Sequence, residues 1–309
     1  MVKAYPPIKT VRASLSFSVG NGSSANTTYS VGDVETFWKG INIYYRFERE
    51  IVDAGGVDFN YIYPLGGNSF RFTASMTVPD KTSAEMISLV NPLYEDLNKI
   101  GIGVILQTNI TPTAYATKSR APGDRLANTR YRSRLFPRKN WDNDELYSKS
   151  LAAIRSAIEA NYTFHSLAMS PTREVAGWPG IDSGLNPAWR SAILHAILIG
   201  TQPDNLTPQA ARDEEARIQS YMDVWRQLTP GSGSYMNEGD PGEPDWQHSF
   251  FGDNYATLLK IKRLWDPWGV FWAQRTVGSE SWEVRTEDGY PNSQNGMLCR
   301  NEKNHLDTR

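Results

Sequence analysis

Four histidines, one cysteine and a few carboxylate pairs are the groups in this 309-residue chain that could ligate a metal, attack a carbon or pass a proton. Their spacing argues against most such chemistry. His165 and His195 lie in separate apolar runs, His248 stands two residues before Phe250, and His305 is in a polar tail; none has a partner at metal-ligand spacing. Cys299 is alone, which excludes an internal disulfide and a cysteine metal site. Glu48/Glu50 and Glu214/Glu215 fall in helix-patterned stretches beside opposite charges, where a solvated face accounts for them without a glycosidase pair. There is no Gly-x-Ser-x-Gly elbow, no phosphate loop, no Gly-x-Gly-x-x-Gly after a strand and no His-Glu-x-x-His. The most specific text is the stretch from Gly231 to Val284: a Gly/Ser loop, then Tyr235-Met236-Asn237, an acidic Pro/Gly turn and an amphipathic helix.

Local physics supports that parsing. Ser249 is placed to cap a helix whose apolar positions Phe251, Tyr255, Leu258 and Trp265 share one face. Lys260, Lys262 and Arg263 crowd its last turn, where the helix dipole favours cations, and Pro267 stops it.

The segment resembles the C-terminal signature of the berberine bridge enzyme-like flavin oxidases, within the vanillyl-alcohol oxidase superfamily. The resemblance rests on Tyr235 and Asn237, Trp246 to Phe250, Gly252 to Tyr255, Leu258 to Lys262, and Asp266 to Phe271. Ser133 to Arg138 and Asn186 to Arg190 are similar to the fungal branch, which implies secondary-metabolite chemistry. The similarity covers most of residues 2 to 284. It implies an FAD-linked oxidoreductase whose flavin-binding domain, with its covalent histidine and cysteine and its glycine-rich pyrophosphate loop, would precede this chain. The alternatives are a truncated non-catalytic remnant, or a small-molecule binding module without redox activity. Exposed Phe250, Phe251, Trp268, Phe271 and Trp272 would mark a chain lacking its flavin-domain partner.

Site residues follow from the same resemblance. Tyr235 matches the tyrosine that lies beside the flavin ring and, in several members, acts as the base for the substrate hydroxyl proton. A free phenol titrates near pH 10 in water, so that role needs a neighbouring positive charge or donor, and the sequence names none. The plain alternative is a loop tyrosine with a packed ring and a wet hydroxyl. Asn237, Asn254 and Tyr255 match positions near the isoalloxazine, where an amide can both donate and accept; capping and core packing are their alternatives. His165, beside Phe164, is the candidate substrate-binding residue, against a satisfied core or edge histidine. No metal is expected.

The elements that must position these residues read as α+β. Val11 to Val19 alternates as a strand, and Asp33 opens a helix that Gly55-Gly56 ends. Val57 to Tyr63 and Ser69 to Val78 pair as a hairpin, and Thr82 or Ser83 caps a helix with the stripe Met86, Val90, Leu93 and Leu97. Gly103 to Ile110 reads as a strand, and Thr111 to Asp144 as a long aperiodic segment. Then come a helix at Glu145 to Ala160, strands at Tyr162 to Met169 and Pro187 to Ile199, and a helix at Pro208 to Leu228. The expected fold is a mostly antiparallel sheet with helices on one face, plus a C-terminal helical segment that would return to a flavin-binding domain. The expected division is 1–9 as the end of a flavin-binding domain, 10–230 as substrate domain, 231–284 as C-terminal segment and 285–309 as a disordered tail.

A net charge of −2 argues against nucleic acid as a partner, and no apolar run is long enough to cross a bilayer. The expected partners are a small-molecule substrate and a flavin-binding half or second polypeptide. No basic start followed by an apolar core stands at the N-terminus. Asn21, Asn26, Asn109, Asn161 and Asn205 nevertheless open glycosylation sequons, which fit either the secretory history of full-length family members or coincidence in an Asn-rich sequence.

Overall fold

The computed structural model describes residues 8–20, 29–107, 112–114, 129–175, 183–203 and 205–301. The strands are β1 (Lys9–Val19), β2 (Tyr29–Val31), β3 (Val57–Pro64), β4 (Phe70–Pro79), β5 (Thr113–Ala114), β6 (Thr129–Pro137), β7 (Thr163–Ala168) and β8 (Ala192–Thr201). They form one sheet in the order β2-β1-β4-β3-β7-β8-β6, with β5 paired to β1. Every pairing is antiparallel except β1 with β2. Helices α1 (Val34–Asp53), α2 (Ser83–Lys99), α3 (Arg138–Asp142), α4 (Asp144–Glu159) and α5 (Pro208–Leu228) follow among them. The expected α+β class, with helices behind one face of the sheet, is the observed one.

Period-two alternation decides which residues meet the helices. One row runs Phe17, Phe72, Ile62, Phe164, Leu198 across five adjacent strands. Helix aromatics close over it edge-on: Phe37 on Phe17, Tyr44 on Phe72, and Tyr45 and Trp225 on Phe164. The helices start where polar caps satisfy their free N–H groups. Asp33 accepts from Thr36 N at 2.8 Å, and Thr82 with Glu85 makes a reciprocal capping box.

Four expectations need correction. Gly103 to Gln107 forms no strand, and the rest of that stretch, 108–110, lies outside the described residues. The 111–144 segment contains β6 and α3; its alternation was hidden because Arg132 and Arg134 occupy the inward positions that an apolar residue usually marks. The strand expected from Pro187 begins at Ala192, because Asn186 and Pro187 open a short 3₁₀ turn over Pro187–Ser191. The tail is ordered through residue 301. There β9 (Trp282–Arg285) and β10 (Met297–Arg300) form a two-stranded pair with Val284 opposite Leu298, and 302–309 lie outside the described residues. Of the sequons, Asn161 and Asn205 are exposed, while Asn21, Asn26 and Asn109 also lie outside the described residues.

The C-terminal helix is also built differently. It divides into α6 (Trp246–Phe251) and α7 (Tyr255–Trp265), separated by Gly252 at φ 57°. A Cβ at Gly252 would stand 2.8 Å from Pro187 Cδ, so glycine is required by conformation and by space. Ser249 is thus inside α6 rather than capping it, and its hydroxyl donates to Glu243 at 2.7 Å. Trp265 is 81% exposed instead of completing a buried stripe.

Candidate active site

The sheet face turned away from the helices carries the side chains of the opposite parity. Its rows run Thr73, Tyr61, His165, Ile197, Ser133 and, one step along, Ser75, Phe59, Leu167, His195, Leu135. Along the strip Tyr63, Tyr61, His165 the rings lie parallel instead of interlocking. Tyr61 stacks on His165 with centroids 4.0 Å apart and planes at 7°, and Tyr63 stacks on Tyr61 at 5.4 Å. Phe59 and Tyr131 on this face are 45% and 43% exposed. A half-open strip of flat rings beside a histidine suits a planar organic ligand.

His165 has a defined tautomer. Its Nδ1 sits 2.8 Å from the carbonyl oxygen of Asn60, which can only accept, so Nδ1 carries the hydrogen and Nε2 is left as an acceptor. Burial holds its pKa below the usual histidine range, with the Asn60 contact opposing. His165 is therefore neutral at neutral pH.

Tyr235 reaches this face because the Gly231–Ser234 loop is laced onto β6, the last strand of the sheet order. Leu135 N donates to Gly233 O at 2.8 Å, Ser232 Oγ donates to Leu135 O at 2.6 Å, and Ser133 and Ser234 hydroxyls meet at 2.6 Å. Gly233 permits the approach, since a Cβ there would lie 2.6 Å from Ser249 O and 2.5 Å from Asn186 Nδ2. Buried charges fix the far side of the turn. Arg132 lies 3.0 Å from Asp240, and Arg226 lies 2.8 Å from Glu243, with both carboxylates 1% exposed. Arg134 donates to Thr229 Oγ1 at 2.8 Å and to its carbonyl at 3.0 Å. Removing one member would strand a buried charge, so the set is a rigid mount for the turn.

At the end of that mount Tyr235, Trp189 and His195 meet edge-on, with centroids 5.3 to 5.6 Å apart. Asn237 Nδ2 donates to the Tyr235 hydroxyl at 2.7 Å. This is the donor that the sequence could not name. His195 is 2% exposed, and burial, then neighbouring His165, pushes its pKa down to about 3. It is thus neutral, and the 3.7 Å approach of its Nδ1 to Glu238 is a contact rather than an ion pair. Its Nε2 has no hydrogen-bond partner among the described residues. Burial raises the pKa of Glu238.

The structure therefore brings Tyr235, Asn237 and His165 to one face. Asn254 and Tyr255 make other contacts: Asn254 Nδ2 donates to Leu185 O at 2.8 Å, and the Tyr255 hydroxyl donates to Glu280 at 2.6 Å. Tyr61, Tyr63 and Trp189 also stand on or beside this face and were not singled out from the sequence. The available signal was Phe59-x-Tyr61-x-Tyr63 alternating with Asp58 and Asn60, an aromatic face set against a polar one. The expected exposed aromatics divide. Phe250 and Phe251 are buried in a small cluster with Trp246, Trp272 is half-buried, and Trp268 and Phe271 are 73% and 80% exposed. No cluster of metal-ligating side chains occurs among the described residues, and no helix is long and apolar enough to cross a membrane.

Residues 234–278, which include Tyr235, match the family profile described as berberine and berberine like. FAD-linked oxidoreductase patO of Aspergillus clavatus is 29% identical over 97% of this chain and 49% of that protein. VAO-type flavoprotein oxidase VAO615 of Thermothelomyces thermophilus is 30% identical over 86% of this chain and 45% of that protein. The crystal structure of VAO-type flavoprotein MtVAO615 from Myceliophthora thermophila aligns with a TM-score of 0.74 at 27% identity, covering 96% of this chain and 50% of that one. Berberine bridge enzyme from Eschscholzia californica, at 11% identity and a TM-score of 0.51 over 87% of this chain and 55% of its own, shares the fold alone. The sheet, its helices and its open face are thus those of the substrate-binding domain of a VAO-type flavoprotein. The chain is thus a relative of the berberine bridge enzyme-like FAD-linked oxidoreductases, and it spans about half the length of the curated relatives it matches.

Proposed function

We propose that this chain supplies the substrate face and the proton-accepting group of an FAD-linked oxidoreductase that oxidises an alcohol or amine of a secondary metabolite, with oxygen as final acceptor. The observation that carries the reading is the Tyr235 hydroxyl, held by the Asn237 amide at 2.7 Å on the same face as the His165–Tyr61–Tyr63 strip. When bound, FAD supplies a two-electron acceptor. The residues present fit one side of its ring: Asn237 is exposed with an amide able to donate and accept, and Tyr235 is half-exposed beside it. Covalent attachment and the pyrophosphate contacts fall to a flavin-binding half, and the exposed strip at Trp265, Trp268 and Phe271 is where that half docks.

In this reading the substrate lies flat on Tyr61 and His165. Neutral His165 accepts a hydrogen bond at Nε2 and orients the reacting carbon toward Tyr235. With its oxygen deprotonated, Tyr235 would take the hydroxyl or amine proton as that carbon gives up its hydride to the two-electron acceptor, ending as a neutral phenol that the Asn237 amide holds in place. The test is anaerobic mixing of the FAD-loaded protein with panels of primary and secondary alcohols and amines while the visible flavin band is followed. Bleaching, with peroxide on readmitting oxygen, is the expected result. A flavin that stays oxidised although ligands bind the aromatic face would replace this reading with a non-redox binding module.

A further inference from the structure

A cavity of about 310 Å³ lies beside the β9–β10 pair, and it shares no lining residue with the face that carries Tyr235. Trp246, Trp272 and Trp282 contribute to its wall, with Arg275 among them. This volume is at the lower end of what small-molecule sites enclose.

Arg275 is the unusual member. Its backbone is left-handed, at φ 62°, a conformation that residues with a side chain rarely adopt and that concentrates at functional positions. Its Nε donates to Pro241 O at 2.6 Å, and its guanidinium stands 5.9 Å from the Trp246 ring centroid. The two terminal nitrogens have no hydrogen bond or ion pair among the described residues. The acidic groups on the same wall are engaged: Glu280 accepts from the Tyr255 hydroxyl with both oxygens, and Glu283 pairs with Arg285 at 2.8 Å. A half-buried guanidinium beside the Trp246 ring, in the field of buried Asp240 and Glu243 but with no direct partner for its terminal nitrogens among the described residues, thus lines the cavity.

We propose that this cavity binds a small monocarboxylate carried on a flat ring. The carboxylate meets the terminal nitrogens of Arg275 side by side, the geometry in which guanidinium is most selective, and the ring packs on the tryptophan walls. Glu280 and Glu283 on the same wall oppose a dianion such as a phosphate monoester more strongly than a monocarboxylate. The site is independent of the redox reading, so the failure of either leaves the other standing.

The test is calorimetric titration of the full chain carrying Tyr61→Ala, which removes the stacking ring of the other aromatic face, with 2-naphthoate, and separately with neutral 2-naphthylmethanol, at fixed ionic strength. Naphthoate should saturate at one site, and the alcohol should bind at least about tenfold more weakly, as expected for loss of a charge-assisted pair. Arg275→Gln should lower naphthoate affinity by at least about the same factor. Arg275→Gly should match it, and because glycine adopts positive φ freely this variant keeps the fold if the glutamine variant does not. No saturation with naphthoate, equal binding of acid and alcohol, or unchanged affinity in the glycine variant would each overturn the proposal.

Discussion

The two faces of the sheet are both rich in aromatic rings and use them in opposite ways. Toward the helices, Phe17, Phe72, Phe164 and Trp225 are fully buried and meet their neighbours edge-on or tilted, an arrangement that fills volume. On the other face Tyr63, Tyr61 and His165 lie parallel, which leaves flat, half-exposed surface able to take another ring. The polar groups are inverted as well. Glu48, Asp58 and Asn60 are buried on the helix side, where Asn60 Nδ2 donates to Glu48 at 2.9 Å and to Asp58 at 2.7 Å. Ring count therefore does not tell a core from a binding surface; the exposure of the ring faces does.

Mutation should separate the faces most sharply in stability. Trp225→Ala removes a fully buried indole and should cost about 3–5 kcal/mol in chemical denaturation. Tyr61→Ala, on the half-exposed strip, should cost well under half of that while weakening ligand binding. Equal losses would mean that both faces are core.

The buried carboxyls give the next effect. Burial, then the neighbouring Asp58, raises the pKa of Glu48 well above the usual carboxylate range, and burial raises that of Asp58. The folded chain thus holds a proton that the unfolded chain releases above roughly pH 4. Stability from this pair is present at low pH and falls as pH rises through the carboxylate range, by up to about 1.4 kcal/mol per pH unit per proton. Glu48→Gln should flatten that slope in urea melts between pH 4 and 8; an unchanged slope would place the proton elsewhere.

His195 acts with the opposite sign and on the other face. Its folded pKa, near 3, lies below the ordinary histidine range, so its contribution is present above roughly pH 6.5 and is lost as pH falls toward 3. His195→Phe should remove that part of the acid sensitivity, a smaller change than at Glu48 because acid titrates many other groups in the same window.

Much of the fold was legible because its signals are local. The alternation of Val11 to Val19 and the caps at Asp33 and Thr82 are readable without tertiary structure. β6 was not, because Arg132 and Arg134 point inward, and only their partners Glu215, Asp240 and Glu243, about a hundred residues away, make that tolerable. Of the candidate site, Tyr235, Asn237 and His165 were all named through the family resemblance. The Asn237–Tyr235 bond, the fixed tautomer of His165 and the Trp189–His195 contacts depend on strand register and loop docking, which sequence periodicity does not carry.

The most direct test of the account is the rate of substrate-driven flavin reduction in FAD-loaded Tyr235→Phe, compared with the unsubstituted protein. The account predicts a loss of about 10²-fold or more, the usual worth of a positioned proton acceptor, with denaturation midpoints unchanged. A reduction rate equal to that of the unsubstituted protein would contradict it and return Tyr235 to the role of a packed loop tyrosine.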